Sequence, residues 1–228
     1  MCIRDRRYGV SIASHLTCVG STVDELRTYL REAERRGVEN IIALRGDPPK
    51  GETSFKVTSG GLRWASELVK LIRTEFPQLG MAVAGYPETH QEAISPADDL
   101  VNLKRKVDAG GDAVITQLFY INDDFFRWRD AAHKLGINVP IVPGILPITN
   151  FAQVKRIATL CKACLPEGLV SELERVEDNE EAQFELGIAH AAKQVEELIR
   201  AGIPGVHFYV LNKSAATLKV LEAVGLKR

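Results

Sequence analysis

Six short apolar runs, separated by stretches with helical periodicity, constrain the fold more than any other feature of this sequence. Runs of this length that are apolar on both faces are typical of strands buried in a parallel sheet. The runs are VSIAS near Val10, NIIAL near Ile41, GMAVA near Met81, AVITQLF near Val114, VPIVPGI near Ile141 and GVHFYV near Val206. The sequence therefore predicts six buried strands.

Helical patterns lie between these runs and carry start and stop signals. Thr22 and Glu25 form a capping box, Leu26 and Leu30 keep the helical period, and Gly37 supplies a C-terminal cap. Further helices are predicted over residues 61–76, 98–109, 123–135, 151–163 and 180–201, with a last one after Ser214. Strands that alternate with helices build βαβ units, which predicts a parallel sheet with right-handed crossovers.

Two architectures fit this alternation: an open doubly wound sheet and a (β/α)8 TIM barrel. The glycine-rich fingerprints by which open sheets bind nucleotides follow none of the runs. Each run is instead accompanied by polar or glycine residues, as a site at the carboxyl ends of barrel strands requires. These are His15, Arg45-Gly46-Asp47, Gly85-Tyr86, Gln117, Gly144 and Asn212-Lys213. The barrel is favoured, although six strands leave it two strand-helix units short.

Composition narrows the class of partner. The 228 residues carry 29 Lys and Arg against 30 Asp and Glu, and neither sign forms a long block, which argues against a nucleic-acid or membrane surface. No apolar run approaches the roughly 18 residues that span a bilayer. We therefore expect a cytoplasmic protein with a small-molecule partner. Cys161 and Cys164 form a C-x-x-C that we interpret as two reduced thiols without a metal, because no second Cys/His pair completes a zinc site.

The segment Arg45-Gly46-Asp47 is the first candidate for chemistry. A guanidinium at a strand end can bind a phosphate or a ring carbonyl, and glycine lets the backbone approach a ligand closely. An Arg/Asp pair that only tethers the proline-rich loop is the alternative. For His15 the residues alone favour a structural role, because a lone histidine is more often structural than catalytic. The loop with Tyr86 and His90 either wraps an aromatic cofactor or is an ordinary proline-containing turn.

A predicted helix and a predicted strand supply further polar candidates. Asp99, Asn102, Arg105 and Lys106 share one side of a helix, so they could hold a ribose and a diphosphate, or form a solvated face. Gln117 interrupts an otherwise apolar run. An unpaired buried carboxamide costs about 1–3 kcal/mol, so Gln117 meets either internal partners or a ligand, and the ligand is favoured.

Six segments, in the same order, resemble the methylenetetrahydrofolate reductase family. They are SHLTCVG, NIIALRGDPPKG, AGYPETH, LKRKVDAGGDAVITQLFY, PIVPGILPITNF and VHFYVLNKSAATLKVL, and they cover the chain from about Val10 to its end. The resemblance implies a (β/α)8 barrel that binds FAD. In such a protein NADH or NADPH reduces the flavin, and the reduced flavin converts 5,10-methylenetetrahydrofolate to 5-methyltetrahydrofolate. We also expect a homo-oligomer.

The resemblance also implies roles for individual residues. Asp47 lies at the junction of flavin and folate, and Gln117 and Gln153 match positions that hold the pterin and, alternately, the nicotinamide. Lys213 stands where the family usually has an arginine that meets the folate glutamate, and Trp64 where it commonly has tyrosine. The flavin-contacting positions fall on His15, Arg45, Gly46, Asp47, Ala65, Tyr86, His90, Ala93, Asp99, Asn102, Arg105 and Lys106.

The family pattern departs from this chain at its start. The family has a glutamate in an F-x-P-P-K context, which acts as general acid, and a second strand that ends in a T-Y-G-A-G-G type turn; neither occurs here. We therefore expect residues 1–8 to be foreign to the fold, residues 9–228 to form one partial barrel, and the reading frame to be incomplete. FAD binding and flavin reduction are expected to survive, and folate reduction to be severely impaired.

Two alternatives remain at the level of the sequence. The chain could be a genuine short protein that binds flavin, or assists assembly, without folate chemistry. It could also be an unrelated phosphate-binding barrel, such as an aldolase that uses a lysine Schiff base. Flavin absorbance separates the first of these from the second.

Overall fold

All six predicted strands are present in the computed structural model, which describes residues 9–48, 51 and 54–226. The stretch 1–8, expected to be foreign to the fold, lies outside the described residues. The strands are β1 (Ala13–Thr17), β2 (Asn40–Leu44), β3 (Gly80–Gly85), β4 (Ala113–Leu118), β5 (Ile141–Ile145) and β6 (His207–Phe208). They form one parallel six-stranded sheet in chain order, which confirms an α/β fold.

Eight helices occur within the described residues. They are α1 (Val23–Arg35), α2 (Ala65–Glu75), α3 (Pro96–Asp108), α4 (Asn122–Lys134), α5 (Phe151–Cys161), α6 (Glu167–Arg175), α7 (Glu180–Arg200) and α8 (Ala215–Ala223). The capping box at α1 is confirmed, since Glu25 N–H donates to Thr22 Oγ1 at 3.3 Å and Thr22 N–H donates to Glu25 Oε2 at 2.8 Å. None of these helices is both long and apolar enough to cross a membrane.

Two strand lengths and one helix differ from the sequence prediction. Strand β1 begins three residues later than the run VSIAS. Strand β6 has two residues rather than six, because the chain turns through left-handed conformations at Leu211 and Asn212 soon after it. Helix α6 was not predicted at all; it is nine residues long and buries only Leu169 and Leu173.

The chain divides into two compact units. The first comprises Met1–Ala84, Val101–Val114 and Ile137–Pro140. Within it, β1 pairs with β2 and β2 with β3, both in parallel, and His15 lies opposite Ile42. Its core is formed by side chains from helices and strands that are at most 2% exposed. They include Leu26, Leu30, Ile41, Leu68, Ile72 and Met81.

The second unit comprises Gly85–Leu100, Ile115–Gly136 and Ile141–Arg228. Strand β6 pairs with β5 in parallel, with Gly144 opposite His207. Its core cluster joins the end of β4 to the segment after β5 and to helices α5 and α6. The cluster contains Leu118, Tyr120, Leu146, Ile148, Phe151, Val154, Ala158, Leu169 and Leu173.

Helix α7 approaches the segment after β5 at Gly187. A Cβ atom built on Gly187 would lie 1.9 Å from the carbonyl oxygen of Ile148. Only glycine permits this approach of two backbones. The contact fixes α7 directly beside Thr149 and Asn150, which line the cleft described below.

Candidate functional site

The loop after β2 is shaped by its backbone. Beyond the strand ends, Cys18 N–H donates to Leu44 O at 3.2 Å and Val19 N–H donates to Arg45 O at 3.0 Å. Gly46 has a φ of 88°, and a Cβ on it would lie 2.5 Å from Val19 Cγ1. Gly46 packs closely against the Val19 side chain, and a close approach of its backbone to a ligand stays a prediction.

Replacing Gly46 with alanine is expected to lower the free energy of unfolding by roughly 2 kcal/mol, through the left-handed φ and the clash with Val19. Urea denaturation measures the change. The same substitution in a Val19→Ala background should cost less, because the nearest clashing methyl group is gone, while the φ penalty and the contacts with Val19 Cβ and Thr17 Cβ stay. An equal cost in both backgrounds would show that packing against Val19 is not the cause.

Arg45 and Asp47 flank this glycine. The Arg45 guanidinium lies over the Phe55 ring, 4.9 Å from its centroid, and Arg45 Nε donates to Gly46 O at 3.4 Å. Asp47 is exposed. The guanidinium therefore lies over an aromatic ring, while Asp47 is exposed to solvent.

The remaining first-unit candidates lie on strands and helices. His15 is exposed on β1, and Ala65 is the first residue of α2. On α3, Arg105 donates to Asn102 Oδ1 at 2.8 Å, and the Lys106 ammonium donates to Ala84 O in β3. The Lys106 ammonium group thus lies at the carboxyl end of β3.

The second unit contains the loop 86–93, which is built from local contacts. Thr89 N–H donates to Tyr86 O at 3.0 Å, and Ala93 N–H donates to His90 O at 2.9 Å. The Tyr86 and His90 rings meet edge to face, with centroids 4.6 Å apart. His90 N–H donates to Asp99 Oδ2 at 3.2 Å. The structure therefore brings Tyr86, His90 and Asp99 together.

Asp99 decides between the two interpretations of the predicted polar helix. Asp99 is only 7% exposed. A solvated face does not bury a carboxylate, since a buried charge is costly without partners. The solvated-face alternative is therefore wrong at Asp99. Arg105, on the same helix, is exposed.

Gln117 lies on the half-buried face of β4, which alternates between half-buried and buried positions. The expectation of a run buried on both faces is wrong for this strand. The side-chain oxygen of Gln117 accepts a hydrogen bond from Leu118 N–H at 3.0 Å. The side-chain NH₂ group makes no hydrogen bond within the described part of the chain, so it is available to a ligand.

A cleft of about 330 Å³ in the second unit contains two of the predicted substrate residues, Gln153 and Lys213. Both residues also line a smaller adjoining cleft, with apolar walls from Ile157 and Leu211. The full lining of the larger cleft is Thr149, Asn150, Gln153, Glu180, Phe184, Lys213, Ala215 and Ala216. An amide and an ammonium group are thus placed beside aliphatic and aromatic surface.

Several residues of this region were missed from the sequence. Asn150 lines the cleft and also caps α5, since its Oδ1 accepts from Gln153 N–H at 2.9 Å. Its position before an apolar helix was the available signal. Phe184 lies within α7, and the sequence carries no signal that it lines a cleft. Tyr209 lines the smaller cleft and donates its hydroxyl proton to Thr116 O at 2.9 Å, and burial raises the pKa of this phenol to about 12.

The cysteines differ in their surroundings. Cys161 and Cys164 are free thiols, half-buried and exposed respectively. Cys18 is 1% exposed, and its burial, assisted by the nearby charge of Glu67, raises the pKa of the thiol to about 12. Within the described ranges, no three His, Cys, Asp or Glu side chains are grouped as metal ligands.

These features define a parallel α/β protein with polar groups and a mixed polar and apolar cleft near the carboxyl ends of its strands. The chain belongs to the methylenetetrahydrofolate reductase family, whose family model matches residues 2–225. It is 39% identical to 5,10-methylenetetrahydrofolate reductase of Escherichia coli strain K12, over 99% of this chain and 73% of that protein. The resemblance predicted from the six segments is confirmed.

Two further comparisons bear on extent and fold. The chain is 38% identical to methylenetetrahydrofolate reductase (NADH) 1 of Arabidopsis thaliana, over 95% of this chain but only 38% of the length of that relative. A solved Clostridium thermocellum protein described as binding two copies of 5-methyl-5,6,7,8-tetrahydrofolic acid has a similar fold, with a TM-score of 0.52. It is 15% identical and covers 99% of both chains, so this likeness concerns the fold alone.

Proposed function

We propose that this chain carries the flavin-binding and folate-binding residues of a 5,10-methylenetetrahydrofolate reductase that uses FAD, with NADH or NADPH as reductant. Family membership supports reduction of methylenetetrahydrofolate in one-carbon metabolism. The observation that carries the proposal is that Gln153 and Lys213, two predicted folate-binding residues, line the same cleft. The (β/α)8 barrel, the homo-oligomer and the cytoplasmic location stay predictions.

The chemistry of the donor groups fits FAD. In the first unit, Arg45, Arg105 and Lys106 supply three cations for a diphosphate, and Asn102 supplies an amide for a hydroxyl group. In the second unit, Tyr86 and His90 supply aromatic surface, and Asp99 supplies an acceptor suited to a ribose. When bound, the flavin would take up a hydride from the nicotinamide and pass it to the folate.

The cleft supports the folate part of the proposal. Lys213 would hold a carboxylate of the folate glutamate, and apolar Ile157 and Leu211 would cover the p-aminobenzoyl ring. Gln117 would donate its free NH₂ group to a carbonyl oxygen of the pterin or of the nicotinamide. The exposed carboxylate of Asp47 would stabilise the cationic iminium form of the substrate.

The proposal is tested with spectra of the purified full chain. FAD should give a bound absorbance band near about 450 nm, which NADH or NADPH bleaches and methylenetetrahydrofolate then restores. The same titration with FMN is the matched control, because FMN lacks the adenosine and the second phosphate that the cation set would hold. Absence of any bound flavin would overturn the proposal.

One outcome of this experiment favours the alternative function. Bleaching by the nicotinamide without recovery on addition of the folate would indicate a flavin-binding chain with little or no reductase activity. This is the result expected if no residue of the chain replaces the general-acid glutamate of the family. Binding of 5-methyltetrahydrofolate, measured calorimetrically, would still show whether the cleft holds a folate.

A further inference from the structure

Glu88 occupies a position in the loop 86–93 that differs from those of its neighbours. By resemblance, Tyr86, His90 and Ala93 contact the flavin, and Glu88 does not. Its Oε1 atom accepts a hydrogen bond from the backbone N–H of Cys164 at 2.7 Å. The side chain therefore joins the loop to the turn that follows α5, 76 residues further along the chain.

A second bond joins the same two segments. The Lys162 ammonium donates to Gln91 O at 3.3 Å. The turn itself is fixed by the end of its helix, because Lys162 takes a left-handed conformation with φ of 54° and Ala163 N–H donates to Ala158 O at 2.8 Å. Ala158 belongs to the core cluster. The loop is thus anchored to a turn that is itself tied to the core of the second unit.

The surroundings of Glu88 show that its carboxyl group does not serve to keep the loop hydrated. Its Oε2 atom is buried and makes no hydrogen bond within the described part of the chain, as is also true of the Tyr120 hydroxyl. Leaving such a group unsatisfied is energetically unfavourable. Burial accordingly raises the pKa of Glu88, against the opposing effect of the hydrogen bond from Cys164. A glutamate that only kept the loop soluble would point to water and avoid this cost.

The residue that follows Glu88 is strained. Thr89 is β-branched and has a φ of 73°. Such a conformation is unfavourable for a β-branched residue and persists only where its surroundings hold it. Its two neighbours are both held: Glu88 through its side chain to Cys164, and His90 through its backbone to Asp99. The strained turn separates Tyr86 from His90 and sets the edge-to-face angle of their rings, 76°.

We propose that Glu88 is a positioning residue, which holds the loop 86–93 against the turn 162–164 and so fixes Tyr86 and His90 in the arrangement that meets the flavin. The inference rests on the proposed function for its ligand, and on the geometry of the second unit for the loop itself. The resemblance assigns Glu88 no contact with the flavin; it acts through Tyr86 and His90. Without it, the strained turn relaxes and the two rings separate.

The test combines amide hydrogen exchange with FAD titration in Glu88→Ala and Glu88→Gln. Alanine removes the acceptor for Cys164, so exchange of peptides covering 86–93 and 162–164 should rise about tenfold, and the Kd for FAD should rise about tenfold, which is 1.4 kcal/mol. Glutamine keeps the acceptor oxygen, so it should restore both values to near those of the wild type. Glu185→Ala, which removes the same charge from an exposed position of α7 in the same unit, is the matched control and should change neither.

A thiol measurement adds a readout that a merely structural role would not move. The carboxyl group of Glu88 raises the pKa of the Cys164 thiol, chiefly through a hydrogen bond. Glu88→Gln removes only the charge, whereas Glu88→Ala removes the charge and the acceptor, so this pKa should fall further in Glu88→Ala. Alkylation of Cys164 at mildly alkaline pH, located by peptide mass analysis, should therefore be faster in Glu88→Ala than in Glu88→Gln, and slowest in the wild type.

The outcomes separate this inference from the proposed function. If wild-type protein binds no FAD, the proposed function fails, and the exchange measurement alone upholds or overturns the anchoring of the loop. If Glu88→Ala binds FAD as the wild type does and exchange in 86–93 is unchanged, the inference is overturned. It is equally overturned if exchange rises as much in the core helix α6 as in the loop, because the variant would then destabilise the unit as a whole.

Discussion

Replacing Gly187 with alanine is expected to lower the free energy of unfolding by about 3 kcal/mol, the upper end of the usual cost of overpacking. The added Cβ would lie 1.9 Å from Ile148 O, and this obstacle is backbone, which cannot rotate away. Helix α7 must shift away from the segment after β5 to make room. Urea denaturation followed by circular dichroism measures the loss.

Gly168 provides the control for this substitution. It lies in α6, and a Cβ on it would meet nothing within 4 Å. Gly168→Ala should therefore leave stability unchanged or raise it by up to about 1 kcal/mol, because alanine is the better helix former. If the two glycine variants unfolded at the same urea concentration, the close approach of α7 to Ile148 would not be a determinant of stability.

Replacing Lys213 with methionine is expected to raise the Kd for 5-methyltetrahydrofolate about tenfold or more. The loss corresponds to one charge-assisted hydrogen bond, about 1.5–3 kcal/mol. Methionine keeps much of the length and apolar surface of lysine, so the cleft should keep its shape. Lys213→Arg should bind at least as tightly as the wild type, because a guanidinium meets a carboxylate in bidentate fashion. Isothermal titration calorimetry gives both values.

Lys193→Met serves as the control for charge. Lys193 is exposed on α7 and does not line the cleft. The variant changes the net charge of the protein by the same amount and should bind the folate normally. Equal weakening in both variants would point to long-range attraction, and unchanged binding in Lys213→Met would remove this lysine from the folate site.

Much of the fold was predictable because its signals are local. The capping box at Thr22 and the apolar period of α1 are contained within a dozen residues, and both are found as predicted. Helix α6 was missed because its nine residues bury two leucines only, and the segment contains Gly168 just after Pro166. The length of strand β6 was overestimated because the apolar sequence GVHFYV does not reveal the left-handed turn at Leu211.

The candidate site shows the limit of local signals more clearly. Gln153 and Lys213 were each identified from the family resemblance, but their placement in one cleft depends on packing that local sequence does not encode. The contact made by Glu88 could not be predicted from the sequence, since a glutamate beside a proline is common in solvated turns. Its partner is the backbone N–H of Cys164, and a backbone group carries no sequence signature.

Because the Cys18 thiol is buried, its chemical labelling measures local unfolding of the first unit. Cys18 Sγ contacts Leu44 O and Trp64 O at 3.5 and 3.7 Å, and its raised pKa keeps it protonated at neutral pH. A reagent cannot modify it until the segments around β1, β2 and the start of α2 separate. The rate at which Cys18 is labelled in the native protein then measures the rate of local unfolding. The exposed thiol of Cys164 is accessible without unfolding, so its labelling rate serves as an internal reference.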